Sequence, residues 1–126
     1  MNLVRCRVAD DGALLSAASF ALPSPPAARA ALAARASKTV IVGMRPENIV
    51  EASRPAREPT AALELSAELV EPLGNEVVLH GRHGDDLIVF KMDPHQQPAM
   101  GDRVKALVEL DALHLFDADS EKRISY

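Results

Sequence analysis

Aromatic side chains are scarce, at 3% of residues, and basic ones are outnumbered, with 14 Lys and Arg against 18 Asp and Glu. Nucleic acids are gripped by stacking aromatics over a basic groove, or by clustered cations that displace counterions from phosphates. A formal charge of -4 and a pI near 5.5 supply neither, so nucleic acid ranks last among partners. Cys6 is the one cysteine. A lone thiol closes no intramolecular disulfide, and a reduced, cytoplasmic setting fits best. No stretch approaches the roughly 20 apolar residues that span a bilayer. Between Met1 and Asp11 the charges of Arg5, Arg7, Asp10 and Asp11 interrupt any apolar segment, so these residues do not read as a signal peptide. A phosphate-binding loop is lacking too. Its Gly-x4-Gly-Lys-Ser/Thr pattern sets backbone amides and a lysine around a triphosphate. The six glycines are Gly12, Gly43, Gly74, Gly81, Gly84 and Gly101, and none is followed by lysine in that arrangement.

What the chain has is 48% hydrophobic and 25% charged residues, ordinary for a globular protein and far from the signature of disorder. Its 126 residues fit one domain, or two very small lobes sharing one core. Val4, Cys6 and Val8 alternate with Arg5 and Arg7, the period of a half-buried strand over Asn2 to Ala9. Asp10-Asp11-Gly12 is a turn, after which Ala13 to Leu22 is expected to return as a second strand. Pro23-Ser24-Pro25-Pro26 cannot feed a strand ladder but suits a helix start, so Ala27 to Ala36 is the one helix candidate, with a flexible linker as the alternative.

Thr39 to Val42 is a β-branched run that suits a strand buried on both faces. Gly43 to Asn48 ends it in a rigid corner, where Pro46 bars Arg45 from the helical region and can open one helical turn after it. Glu51 to Pro59 reads as an exposed loop. Leu63, Leu65, Ala67 and Leu69 alternate with Glu64, Ser66 and Glu68, which places those four on one buried face. Glu71-Pro72-Leu73-Gly74 then marks a bulge or barrel corner. Val77 to Arg82 and Asp86 to Met92 form a hairpin around His83-Gly84-Asp85. Gln96 to Gly101 is another loop, Val104 to Val108 a strand, Leu113 to Phe116 a short strand, and Asp117 to Lys122 a polar turn. Eight or nine short strands with one short helix specify an all-β fold, and period alone leaves barrel and sandwich open.

Four segments in this order resemble one family: Met1-Asn2, Val42-Gly43-Met44-Arg45-Pro46-Glu47, Val70-Glu71-Pro72-Leu73-Gly74-Asn75-Glu76, and Gly101-Asp102 leading to Leu113-His114-Leu115-Phe116-Asp117. They are similar to the C-terminal regulatory domain, of the transport-associated OB (TOBE) type, of the ATPase subunits of maltose- and glycerol-phosphate-type sugar ABC importers. The resemblance covers nearly the whole chain and implies a small OB-like antiparallel barrel. It implies that Met1 is a family residue following an ATP-binding domain, which would hold ATP and Mg, while this chain holds no cofactor and no metal. It also implies a regulatory and dimerisation role without catalysis. The partners would be a second copy of the subunit, permease subunits reached through the upstream domain, and regulatory proteins, on the inner face of the cell membrane. Asn48 departs from the His or Asp that often follows the Arg-Pro-Glu corner, and the loop from Glu51 to Thr60 is longer than average.

The candidate corner or contact residues are Arg45, Pro46, Glu47, Glu71, Gly74 and Phe116. Arg45 and Glu47 can pair with each other or with the barrel wall, and either fix the chain path or meet a partner. His80, His83, Asp85 and Asp86 have metal-ligand chemistry, but the two histidines are expected on different strand faces. His114 reads as a surface or hydrogen-bonded histidine, and Asp117, Asp119 and Glu121 as a solvated turn that lacks a calcium loop's glycine and terminal glutamate. An alternative function is a small-ligand module for an oxyanion or sugar, although no cluster of Ser, Thr or Lys stands out to bind one.

Overall fold

The computed structural model describes residues 1–35 and 38–126. Strand β1 (Asn2–Val8) turns Val4, Cys6 and Val8 inward and Leu3, Arg5 and Arg7 outward, as its alternation requires. At the turn that follows, Asp11 Oδ1 accepts the Ala13 amide at 3.0 Å, and Gly12 has φ +74°. A Cβ on Gly12 would lie 2.3 Å from the Arg29 carbonyl oxygen. Glycine is thus required twice, by the dihedral angle and by the close approach of the next helix.

The single return strand expected over 13–22 is instead two, β2 (Leu14–Ser16) and β3 (Ala21–Pro23), paired antiparallel. Ala17 to Phe20 turn between them, closed by the Ala17 amide on the Phe20 carbonyl at 2.8 Å. The break follows from Ser19, whose hydroxyl bonds to another hairpin rather than leaving its backbone to a ladder. The helix expected over 27–36 shrinks to a 3₁₀ turn, Pro26–Ala28, running into α1 (Arg29–Ala33); Ala36 lies outside the described residues. Five residues cannot hold a helix alone. Ala28 and Leu32 are fully buried, so packing holds this one and the linker alternative fails.

Strand β4 (Thr39–Met44) buries Val40 and Val42, while Thr39 is exposed and Ile41 half-buried, so its second face is only partly covered. After the corner come β5 (Ile49–Glu51), which the loop reading missed, then β6 (Thr60–Pro72), β7 (Val77–His83), β8 (Asp86–Met92), β9 (Arg103–Glu109) and β10 (His114–Asp117). These make two five-stranded antiparallel sheets, β10-β4-β1-β2-β3 and β5-β9-β6-β7-β8. Both curl over one contiguous cluster of buried side chains that includes Val4, Leu15, Leu32, Val42, Leu79, Phe90 and Leu115. This is the expected all-β, OB-like architecture with one short α-helix among the described residues. Burial of each Leu or Phe contributes about 1.5–3 kcal/mol.

The long strand β6 pairs with β9 through its first half and with β7 through its second. A register shift between Ala67 and Leu69 marks a bulge at Glu68, upstream of the expected one at Pro72. A bulge inserts one residue and reverses the faces beyond it. Leu69, expected in the core with Leu63 and Leu65, is therefore 47% exposed. The stretch Leu73–Glu76 is the hairpin turn into β7 instead, with Gly74 at φ +85°.

Two polar side chains stitch the sheets together. Asn2 Nδ2 donates to the carbonyls of Met44 at 3.1 Å and Val89 at 2.8 Å. Its Oδ1 accepts the Val89 amide at 2.8 Å. The carboxamide thereby imitates a backbone amide against β8, an edge strand. Ser19 Oγ lies 2.7 Å from both the His83 carbonyl and Asp86 Oδ2, which ties the β2–β3 turn to the β7–β8 turn. Phe20 packs edge-on against the His83 ring, with centroids 5.7 Å apart.

Candidate functional site

The corner after β4 is the place where the sequence motifs converge. Arg45 is extended, with φ -74° and ψ 138°, and Pro46–Asn48 forms one 3₁₀ turn, as the proline dictates. The turn separates two surface depressions. On one side, Pro46, Glu47, Ile49 and Glu51 face Asn75, Glu76 and Asp93 across a groove of about 350 Å³. Acidic groups prevail there, with Arg54 bonded to Asp93 at 2.7 Å and Lys91 to Glu76 at 3.5 Å. The Arg-Pro-Glu corner and the segment after Pro72-Leu73-Gly74 thus form opposite walls of one groove.

On the other side, Arg45 Nε donates to His114 Nε2 at 3.2 Å. The expected pairing of Arg45 with Glu47 is not formed; β10 supplies the partner instead, because His114 stands opposite Gly43 in the β4–β10 register. Arg123, brought back by an antiparallel bridge to Phe116, completes a depression of about 650 Å³ with Asn48, Asp111 and Tyr126. Tyr126 Oη donates to the Leu113 carbonyl at 2.7 Å, and its burial, offset by Arg123 and reinforced by Asp111, raises its pKa. Desolvation, then the Arg123 and Arg45 charges, push the His114 pKa below its usual 6.5.

The other candidates are placed as follows. Phe116 is half-buried on β10, opposite Ile41 of β4. Glu71 is exposed on β6, and its carboxylate meets His80 Nε2 at 2.5 Å. Gly74 sits in open space at the hairpin turn. His80 and His83 lie on opposite faces of β7, as expected: the first bonds Glu71, the second places Nδ1 3.1 Å from Ser19 Oγ. Ser19, His83 and Asp86 share the residue types of a nucleophilic triad but not its wiring. Asp86 bonds the serine itself, so no carboxylate orients the imidazole to take the serine proton. Asp117 caps its own turn, with Oδ1 accepting the amides of Asp119 and Ser120 at 2.9 Å each and Oδ2 bonding Arg35 at 2.7 Å. Burial pushes the Cys6 thiol up to about 12, and the nearby Asp86 charge adds to the shift.

Sequence reasoning missed Arg123, Asn2 as a stitch, and Ser19. Arg123 carried no local signal, because only the β10 bridge returns it to His114. Asn2 stood out only as part of a resemblance.

Comparison with known proteins bears directly on this arrangement. The family model of the MalK OB fold domain matches residues 1–49. The family model of the TOBE domain matches residues 42–116, more than half of the chain. The chain belongs to the TOBE domain family. The two matches overlap over the end of β4 and the corner, so the TOBE segment begins where the two depressions part. The sulfoquinovosyl glycerol transport ATP-binding protein SmoE of Agrobacterium fabrum is 32% identical over 124 residues, covering 98% of this TOBE chain and 33% of the relative. The sn-glycerol-3-phosphate import ATP-binding protein UgpC of Chromobacterium violaceum is 31% identical over 126 residues, covering 100% of the chain and 32% of the relative. UgpC of Cupriavidus pinatubonensis is 36% identical over 84 residues, 67% of the chain and 22% of its own. The chain therefore spans about a third of the length of the first two relatives. Among the described residues, no helix is long and apolar enough to cross a membrane.

Proposed function

We propose that this chain is the regulatory and dimerisation domain of the ATP-binding subunit of a carbohydrate-type ABC importer. The observation that carries this reading is the near-complete alignment of the chain with one third of two transport and import ATP-binding proteins. The domain unit is 1–126, two OB-like lobes over one core, with an ATP-binding domain upstream that would hold ATP and Mg. The role here is mechanical: a β module whose stitched sheets keep its outer surfaces in fixed relation, so that contact on one side bears on the position of the other. Its partners would be a second copy of the subunit, regulatory proteins, and permease subunits met through the upstream domain at the inner face of the membrane.

Arg45, Pro46, Glu47, Glu71, Gly74 and Phe116 are assigned to the corner and contact surface, with Glu47 and the Gly74 turn on either side of the acidic groove. In the full-length subunit, Glu47→Ala combined with Glu71→Ala is expected to weaken self-association or regulator binding while ATP hydrolysis by the isolated subunit persists. Sedimentation velocity and a transport assay in vesicles measure this. Unchanged assembly and unchanged regulation would remove the contact role. The upstream reading frame tests the larger assignment, since a stop codon directly before Met1 would overturn it.

A further inference from the structure

We propose that the depression formed by the corner, β10 and the C-terminal segment binds a small phosphorylated polyol or sugar, with Arg45 and Arg123 holding the phosphate. This goes beyond the regulatory reading and does not rest on it.

Two guanidiniums converge here on one imidazole, on a chain of net charge -4. Most other arginines of the molecule are tied to carboxylates: Arg29 to Asp11, Arg35 to Asp117, Arg54 to Asp93, Arg82 to Glu68 and Arg103 to Glu64. Among the described residues, neither Arg45 nor Arg123 has a carboxylate within ion-pair distance, although both line a cavity of about 650 Å³. Arg45 spends its Nε hydrogen on the His114 ring, which fixes Nε2 as the acceptor and the ring as neutral, and leaves its terminal nitrogens available. Both arginine charges depress the His114 pKa, an independent sign that the two guanidiniums act on the same point. Guanidinium forks suit the oxygens of a phosphate, and a pair of them suits a dianion.

The cavity is wider than a bare ion needs. Asn48, Asp111 and Ser125 line the same depression and offer amide, carboxylate and hydroxyl groups that match the hydroxyls of a polyol. Asp111 disfavours an anion placed against it, which sets the phosphate toward the arginines and the hydroxylated end toward Asp111. Of the charged and titratable groups lining the depression beside His114, Arg45, Arg123 and Tyr126 favour or tolerate the anion, and Asp111 alone opposes it.

Isothermal titration of the 126-residue chain with glucose 6-phosphate, glycerol 3-phosphate, inorganic phosphate and glucose tests the assignment. The expected result is a single site for the phosphomonoesters, weakened at least tenfold in Arg123→Ala, partly restored in Arg123→Lys, and weakened by added salt. Glucose alone should give no binding. Far-UV circular dichroism of the variants shows whether the fold persists. By NMR, saturating ligand should move the His114 titration to higher pH, because the bound anion offsets both arginine charges. Absence of binding by either phosphomonoester, equal affinity in folded Arg123→Ala, or an unmoved His114 titration overturns the proposal. Inorganic phosphate binding as tightly as the esters overturns the polyol half of it.

Discussion

Replacing Asn2 with alanine should loosen the junction between the two sheets more than any other change at an equally accessible side chain. The carboxamide makes three hydrogen bonds, two to carbonyls and one from the Val89 amide. Each such bond contributes about 0.5–1.5 kcal/mol net. Asn2 and Val89 are only half-buried, so water can replace part of what is lost and the lower end of the range applies. The expected cost is about 2 kcal/mol, which at a slope of about 1–3 kcal/mol per molar moves the urea midpoint down by about 1 M. Leu3→Ala is the control: its neighbour is 62% exposed and should stay within about 0.5 kcal/mol of the parent. Asn2→Asp separates hydrogen bonding from shape. It keeps an acceptor for the Val89 amide but turns a carboxylate toward two carbonyl oxygens. Its destabilisation should therefore exceed that of Asn2→Ala at neutral pH and shrink in acid, where the protonated group can donate again. A midpoint shift in Asn2→Ala below about 0.2 M, or an Asn2→Asp penalty independent of pH, would refute the stitching argument.

Gly84→Ala should destabilise by about 1–3 kcal/mol, because φ is +59° and a Cβ would lie 2.4 Å from that of Ser19. Gly74→Ala, at φ +85° in open space, should cost only about 1 kcal/mol, and equal losses in thermal melts would count against the docking of the two turns. His114 should titrate below 6.5 by NMR, and Arg45→Ala should move it upward; a downward move would reverse the assigned sign. Since its folded pKa is depressed, the unfolded chain binds its proton first, and the stability this histidine contributes is present above 6.5 and lost as pH falls through the folded value. Cys6, buried with its pKa pushed up to about 12, should resist a disulfide reagent until the protein unfolds; rapid labelling of the native protein would contradict its burial.

The sequence by itself determined the strands whose faces differ in polarity. In β1 the exchange of Val4, Cys6 and Val8 with Arg5 and Arg7 leaves no other assignment, and at the corner Pro46 fixes both the extended Arg45 and the turn after it. The hairpin around Gly84 was legible for the same reason, since its turn chemistry is local. Tertiary structure decided everything that depends on distant partners. The three residues of β5 became a strand only by pairing with β9, and the bulge at Glu68 arose because β6 must serve β9 and then β7. Leu69 was misplaced by a pattern that cannot register an inserted residue. The cationic depression was least visible of all. Arg45, His114 and Arg123 are spread over most of the chain, and only the pairing of β10 with β4 and its bridge to Arg123 sets them together. Alternation along a strand is a short-range consequence of the pleat, whereas the meeting of charges across a surface is fixed by the pairing of remote segments around a shared core.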